Sequence, residues 1–114
     1  MKTIYKYPIV VGHNIIKTYK NCQVLSAGLD PKGIMNVWVL VDTSEDKTNQ
    51  LKILVMGTGW DLPKVQGELK FINSVKEDMY IWHIFSEESA TEMIEDIDEQ
   101  EEEKRLEYIL TGEE

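Results

Sequence analysis

A chain of 114 residues, 42% hydrophobic and 29% charged, is long enough to bury one core without disulfides or metal, and contains no internal repeat or low-complexity linker. Its net charge of -9 is unevenly spread: residues 1–85 hold 10 Lys against 8 Asp+Glu, a net of +2, while residues 86–114 hold 2 basic and 13 acidic residues, a net of -11. Cys22 is the single cysteine, which excludes an intrachain disulfide and a secreted, cross-linked scaffold.

Lys2 to Val10 is predicted to be a strand. Lysines and tyrosines interrupt every apolar run near the N-terminus, so neither a signal peptide nor a membrane span is expected and an intracellular compartment is the default. His13, after Gly12, is placed in a turn. Gln23 to Leu29 reads as a second strand, and "LDPKG" (29–33) as the tight turn that joins it to a third. That third strand, Ile34 to Asp42, carries the strongest signal. Met35, Val37, Val39 and Val41 lie on one face, and the opposite face (Ile34, Asn36, Trp38, Leu40) is also largely apolar, which predicts a central strand covered on both sides. "TSEDKTNQ" (43–50) reads as an exposed loop, Gln50 to Gly57 as a strand, Leu69 to Val75 as a weaker one, and Met79 to Phe85 as the last, after a turn at 76–78. No gap leaves room for a helical crossover, so antiparallel pairing is expected.

Beyond Phe85 the β-branched alternation gives way to Glu, Asp, Ala, Met, Ile and Leu, which predicts helix. Ser89 and Glu92 form a capping-box pattern, and Gly112 is a C-terminal stop. Ala90, Met93, Ile94 and Ile97 make one apolar stripe and Leu106, Ile109 and Leu110 another, with no apolar side chain in 98–105. The expected fold is therefore α+β: a β-rich domain (1–85) with a mainly antiparallel sheet of five or six strands, curled or sandwich-like, and an acidic extension (86–114) of one or two helices.

"MGTGWDLP" (56–63) is the most suggestive segment of the β region. Gly57, Thr58 and Gly59 can expose consecutive N–H groups as an anion-binding nest, and Trp60 can stack on a ring. The competing and weightier reading is a strand that ends in a glycine turn, with Trp60 as a lid on the core. The segment lacks the Lys-Ser/Thr of a P-loop and the third glycine of a dinucleotide fingerprint. His83, inside "YIWHIF", is read as a structural histidine; nothing in its spacing from Cys22 selects a nucleophile and base pair. One cysteine and two histidines are too few for a metal site without several carboxylates, so no metal and no cofactor is expected. Lys2, Lys6, Lys17 and Lys20, interleaved with Tyr5, Tyr7 and Tyr19, have the mix of cation and aromatic used on single-stranded nucleic acid. A domain net of only +2 argues against direct nucleic-acid binding, which is driven by counterion release.

The run "IEDIDEQEEEKR" (94–105) holds seven carboxylates: Glu95, Asp96, Asp98, Glu99, Glu101, Glu102 and Glu103. It admits three readings: a solvated face, a segment that pairs with the chain's own basic strands, or a mimic of a phosphate array that occupies a basic groove on another protein.

The blocks "MKTIYKYPI", "VLSAG...NVWVLVD", "MGTGWDLP" and "LKFINS...YIWHIF", in that order over residues 1 to about 86, resemble a family of small uncharacterised proteins carried by bacteriophages and prophages. Trp60 and Asp61 depart from a family continuation that often contains His, and the tail from Ser86 looks like an addition. The resemblance implies a phage origin and a compact β-rich fold, and transfers no catalytic residue. The function expected from the whole is a non-catalytic, phage-encoded binding protein in the host cytoplasm. It would antagonise a host defence system, such as a CRISPR effector, by holding a basic surface of a host protein through the seven carboxylates and Leu106, Ile109 and Leu110. Two alternatives stay open: a nucleotide-binding module built on Gly57, Thr58, Gly59 and Trp60, and a structural or self-assembling protein with Leu106, Ile109 and Leu110 as a homodimer seam. No membrane partner is expected.

Overall fold

The computed structural model describes residues 1–88. Among them it is all-β, with seven strands: β1 (Lys2–Pro8), β2 (Gly12–Thr18), β3 (Gln23–Leu29), β4 (Met35–Asp42), β5 (Asn49–Gly57), β6 (Glu68–Glu77) and β7 (Tyr80–Glu88). They form two antiparallel sheets, one of order β1-β4-β3 and one of order β2-β5-β7-β6. This corrects the α+β expectation. The described chain contains no helix, it has seven strands rather than five or six, and they divide between two sheets. The expected helices at 86–114 fall outside the described residues except at Ser86, Glu87 and Glu88, which are strand.

β7 continues past Phe85 because its last residues have strand partners. Ser86 faces inward, 3% exposed, and Glu87 pairs with Lys52 on β5, Nζ to carboxylate 3.8 Å. β2 replaces the expected turn around His13, which lies opposite Leu54. Its inward positions are Gly12, Asn14, Ile16 and Thr18, mostly small or polar, so it lacks the apolar alternation that marks a half-buried strand.

The two sheets pack face to face. Val37, Val39 and Val41 of β4 meet Ile53 and Val55 of β5 and Ile84 of β7 in one core, all at most 1% exposed. Each such side chain contributes on the order of 1.5–3 kcal/mol by leaving water. β4 is the centre of its sheet, as its sequence implied, but its outer face carries Trp38 and Leu40 only half-buried, between β1 and β3 neighbours.

Along one side the sandwich is closed by an amide. Asn73, just after a bulge in β6, accepts a hydrogen bond from Ala27 N–H (2.9 Å) and donates to Ala27 C=O (3.0 Å), so its side chain takes the place of a strand neighbour for β3. On the opposite side Tyr7 and the buried Thr18 share a hydroxyl hydrogen bond of 2.8 Å between β1 and β2. Asn14 secures the intervening link by accepting from Val10 N–H (2.9 Å) and donating to Val10 C=O (2.8 Å).

The antiparallel registers sort the connections onto two ends. The β1–β2 link (9–11), the β3–β4 turn (30–34), the start of the β5–β6 link (58–67) and the β6–β7 turn lie at one end; residues 19–22 and 43–48 lie at the other, where β7 also finishes. In the β3–β4 turn Gly33 donates to Asp30 C=O (2.8 Å) and adopts φ +81°, open to glycine at little cost. Asp30 is the hub of that turn: its carboxylate accepts from Lys32 N–H and Ile34 N–H, both at 2.9 Å, and from Asn36 Nδ2 (3.1 Å) and Lys6 Nζ (3.2 Å). The Ile34 N–H is the largest influence holding its pKa below the ordinary carboxylate value.

Candidate functional site

The "GTGW" segment leaves the end of β5 and turns back at once. Trp60 N–H donates to Gly57 C=O at 3.2 Å, and Gly59 supplies φ +87°, which an L side chain rarely adopts. The turn lays the Trp60 indole on Gly57. A Cβ at that glycine would meet the indole at 2.8 Å, so the absence of a side chain there is what seats the ring.

Trp60 then meets Trp82 edge to face, ring centroids 5.7 Å apart and planes at 76°. Trp82 is itself fixed: its Nε1 donates to Glu77 at 2.9 Å, and Tyr80 stacks on it at 5.5 Å and 16°. Trp82 is 8% exposed, whereas Trp60 and Tyr80 are 51% and 63% exposed. The arrangement presents two partly free aromatic rings on a buried third.

A second chain of contacts ties the same turn to the sheet. Thr58 Oγ1 and His83 Nε2 are 2.8 Å apart, and His83 Nδ1 and Ser74 Oγ are 2.9 Å apart. A neutral imidazole satisfies both, donating from one nitrogen and accepting at the other. His83 thus anchors the turn between β6 and β7. Cys22 lies elsewhere, taking a 3.4 Å hydrogen bond from Asn49 Nδ2, and burial pushes its thiol pKa up, away from nucleophilic use.

The sequence-predicted residues therefore separate. Gly57, Thr58, Gly59 and Trp60 come together as one rigid turn, with Trp60 both a lid on Trp82 and half exposed. Among the described residues no three His, Cys, Asp or Glu side chains converge to hold a metal, and no helix is long and apolar enough to cross a membrane. Tyr5 packs edge-on against Tyr7 and Tyr19 at 6.3 and 6.2 Å, with Lys47 over Tyr19 at 5.8 Å. Lys6 and Lys20 of that cluster are engaged by Asp30 and Asp46. Glu95 to Glu103, Leu106, Ile109 and Leu110 lie outside the described residues.

Sequence reading missed Glu77, Tyr80 and Trp82 as partners of the turn. The alternation Tyr80-Trp82-Ile84 put the first two on one face, but their approach to Trp60 depends on β5 and β7 pairing Gly57 with Trp82.

A family model, described as a domain of unknown function, matches residues 1–95 and so continues past the end of β7. No curated protein and no solved structure matches the chain.

Proposed function

We propose that this chain, which belongs to the DUF7352 family, a domain of unknown function, is a non-catalytic binding protein of phage origin that antagonises a host defence system by occupying a basic surface of a host protein. The observation that carries this reading is the charge partition, +2 over residues 1–85 against -11 over residues 86–114. Seven carboxylates fall within twelve residues, and a basic groove that binds phosphates would attract them by the same field. Phage origin rests on the resemblance of the four sequence blocks.

Because β7 runs to Glu88, cutting the chain at 85 would damage the sheet; neutralising the segment tests the idea without that damage. Full-length protein and a variant carrying Glu→Gln and Asp→Asn at 95, 96, 98, 99, 101, 102 and 103 are used to capture partners from host lysate at low and high salt. A nucleic-acid-binding protein retained by the wild type, released by salt and absent from the variant supports the reading. Equal retention by both overturns it.

The second reading, a nucleotide-binding site at the "GTGW" turn, is favoured by the positive φ of Gly59 and the half-exposed ring of Trp60. Thermal stabilisation by a nucleotide, lost in Trp60→Ala, would support that alternative.

A further inference from the structure

Strand alternation gives the β2-β5-β7-β6 sheet a second apolar face, turned away from the core. His13, Leu54, Phe85 and Phe71 lie in one row across its four strands, and Lys52 and Glu87 pair in the next. The middle of this face is shielded. Leu54 and Met56 are 3% and 8% exposed without belonging to the core between the sheets, and the Lys52 and Glu87 side chains are 16% and 14% exposed. Lysines paired elsewhere on the domain, Lys6 and Lys20, keep 47% and 55%. Ile15 and Phe71, on the edge strands, stay exposed. Gln50, the next outward position of β5, carries a buried Oε1 to which no described group donates. A sheet face with a buried centre, an unmatched acceptor and exposed apolar margins is one on which another layer packs.

We propose that residues 89–97 of the same chain form that layer, as a short helix lying across the outer face. β7 is a central strand of this sheet and releases the chain at Glu88, so the segment reaches the face tethered and at high effective concentration. Ala90, Met93, Ile94 and Ile97 recur at spacings of three and four, the one-sided stripe of a helix that packs on a sheet. Nine helical residues measure about 13 Å and four strands about 14 Å across, so the segment matches the width it would cover. Charge agrees as well. Among the described strand residues Lys17, Lys52 and Lys76 point to this face against Glu87, and the segment carries Glu92, Glu95 and Asp96 without a basic residue. The family match ends at residue 95, so the family's pattern takes in Met93 and Ile94 rather than stopping with β7.

This inference goes beyond the proposed function and does not depend on it, because docking completes the domain itself and its readouts need no host partner. The test is NMR on the full-length, methyl-labelled chain. Nuclear Overhauser contacts are expected from the methyls of Met93, Ile94 and Ile97 to the rings of Phe71 and Phe85, within a species of the 13.2 kDa monomer mass. Ile94→Asp is expected to erase those contacts and to raise the unfolding equilibrium constant about tenfold or more, measured by urea denaturation. Phe71→Asp should also raise it, and the two together should have much less than the product of their single effects, because they break one interface. Absence of the contacts in the wild type, or contacts that a mixed-labelled sample shows to run only between two copies, would overturn the inference. So would two substitutions whose effects simply multiply.

Discussion

Gly57→Ala is expected to destabilise the domain through one identifiable collision. An added Cβ would lie 2.8 Å from Trp60 Cε2 and 2.9 Å from Nε1, closer than real Cβ atoms approach a neighbour, and a tight 3.2 Å from Cδ2, so the indole must lift. Such overpacking costs about 1–3 kcal/mol, and weakening the edge-to-face contact with Trp82 accounts for about 0.5–1.5 kcal/mol as part of it. Against this, Gly57 is not among the positive-φ glycines, so alanine fits the backbone and gains about 0.4–1 kcal/mol from a less free unfolded chain. The net expectation is a loss of about 1–2 kcal/mol, and for a domain of this size about 4–8 °C in Tm per kcal/mol. The assay is urea denaturation in two backgrounds. In Trp60→Ala the obstacle is gone, so the same Gly57→Ala change should become neutral or stabilising by about 0.5 kcal/mol. Equal destabilisation in both backgrounds would refute the argument that Gly57 exists to seat Trp60.

Asn73→Ala should cost about 1–3 kcal/mol, because it leaves both Ala27 backbone groups without their partner, and hydrogen exchange at Ala27 should rise more than in the core of β4. Stability should also fall in acid. Asp30 is lowered mainly by the Ile34 N–H, and Asp42 is lowered further, mainly by the Ser44 hydroxyl and N–H. Their folded pKa values lie below the unfolded value of 3.8, so the stabilisation is complete above that pH and is lost as pH falls through the folded values. Asp30→Asn with Asp42→Asn should flatten the stability profile below pH 3.8; an unchanged slope would locate acid sensitivity elsewhere. Cys22 should alkylate more slowly in the folded chain than in urea at neutral pH, since burial raises its pKa; faster reaction when folded would contradict its placement.

What could be read from residues alone differs from strand to strand. β4 was legible because it alternates Met35, Val37, Val39 and Val41 without interruption, and the β3–β4 turn because Asp, Pro and Gly occupy positions whose backbone they suit. β2 was not, because its inward residues are held by distant partners: Asn14 donates to Ile53 C=O at 3.2 Å, and Thr18 bonds Tyr7. The end of β7 was misjudged for the same reason. Ser86, Glu87 and Glu88 have helix-compatible composition, and it is their pairing with β5 and β6, Ser86 opposite Ile53 and Lys70 and Glu88 opposite Glu68, that makes them strand. At the candidate site the glycines and Trp60 stood out by residue type, whereas Glu77, Tyr80 and Trp82 joined them through the β5–β7 register.

Sequence by itself determined the strand periodicity of the core, the turn at Asp30 to Gly33 and the partition of charge between residues 1–85 and 86–114, because these depend on neighbours within a few positions. Tertiary structure alone decided that the strands divide into two sheets, that Asn73 closes one side, and that Val10, Ile34, Trp60 and Met79 share an end. Those outcomes depend on pairings such as β1 with β4 and β2 with β5, whose partners lie more than thirty residues apart in several registers, as Gly12 opposite Val55 does, and no local pattern encodes which edge meets which.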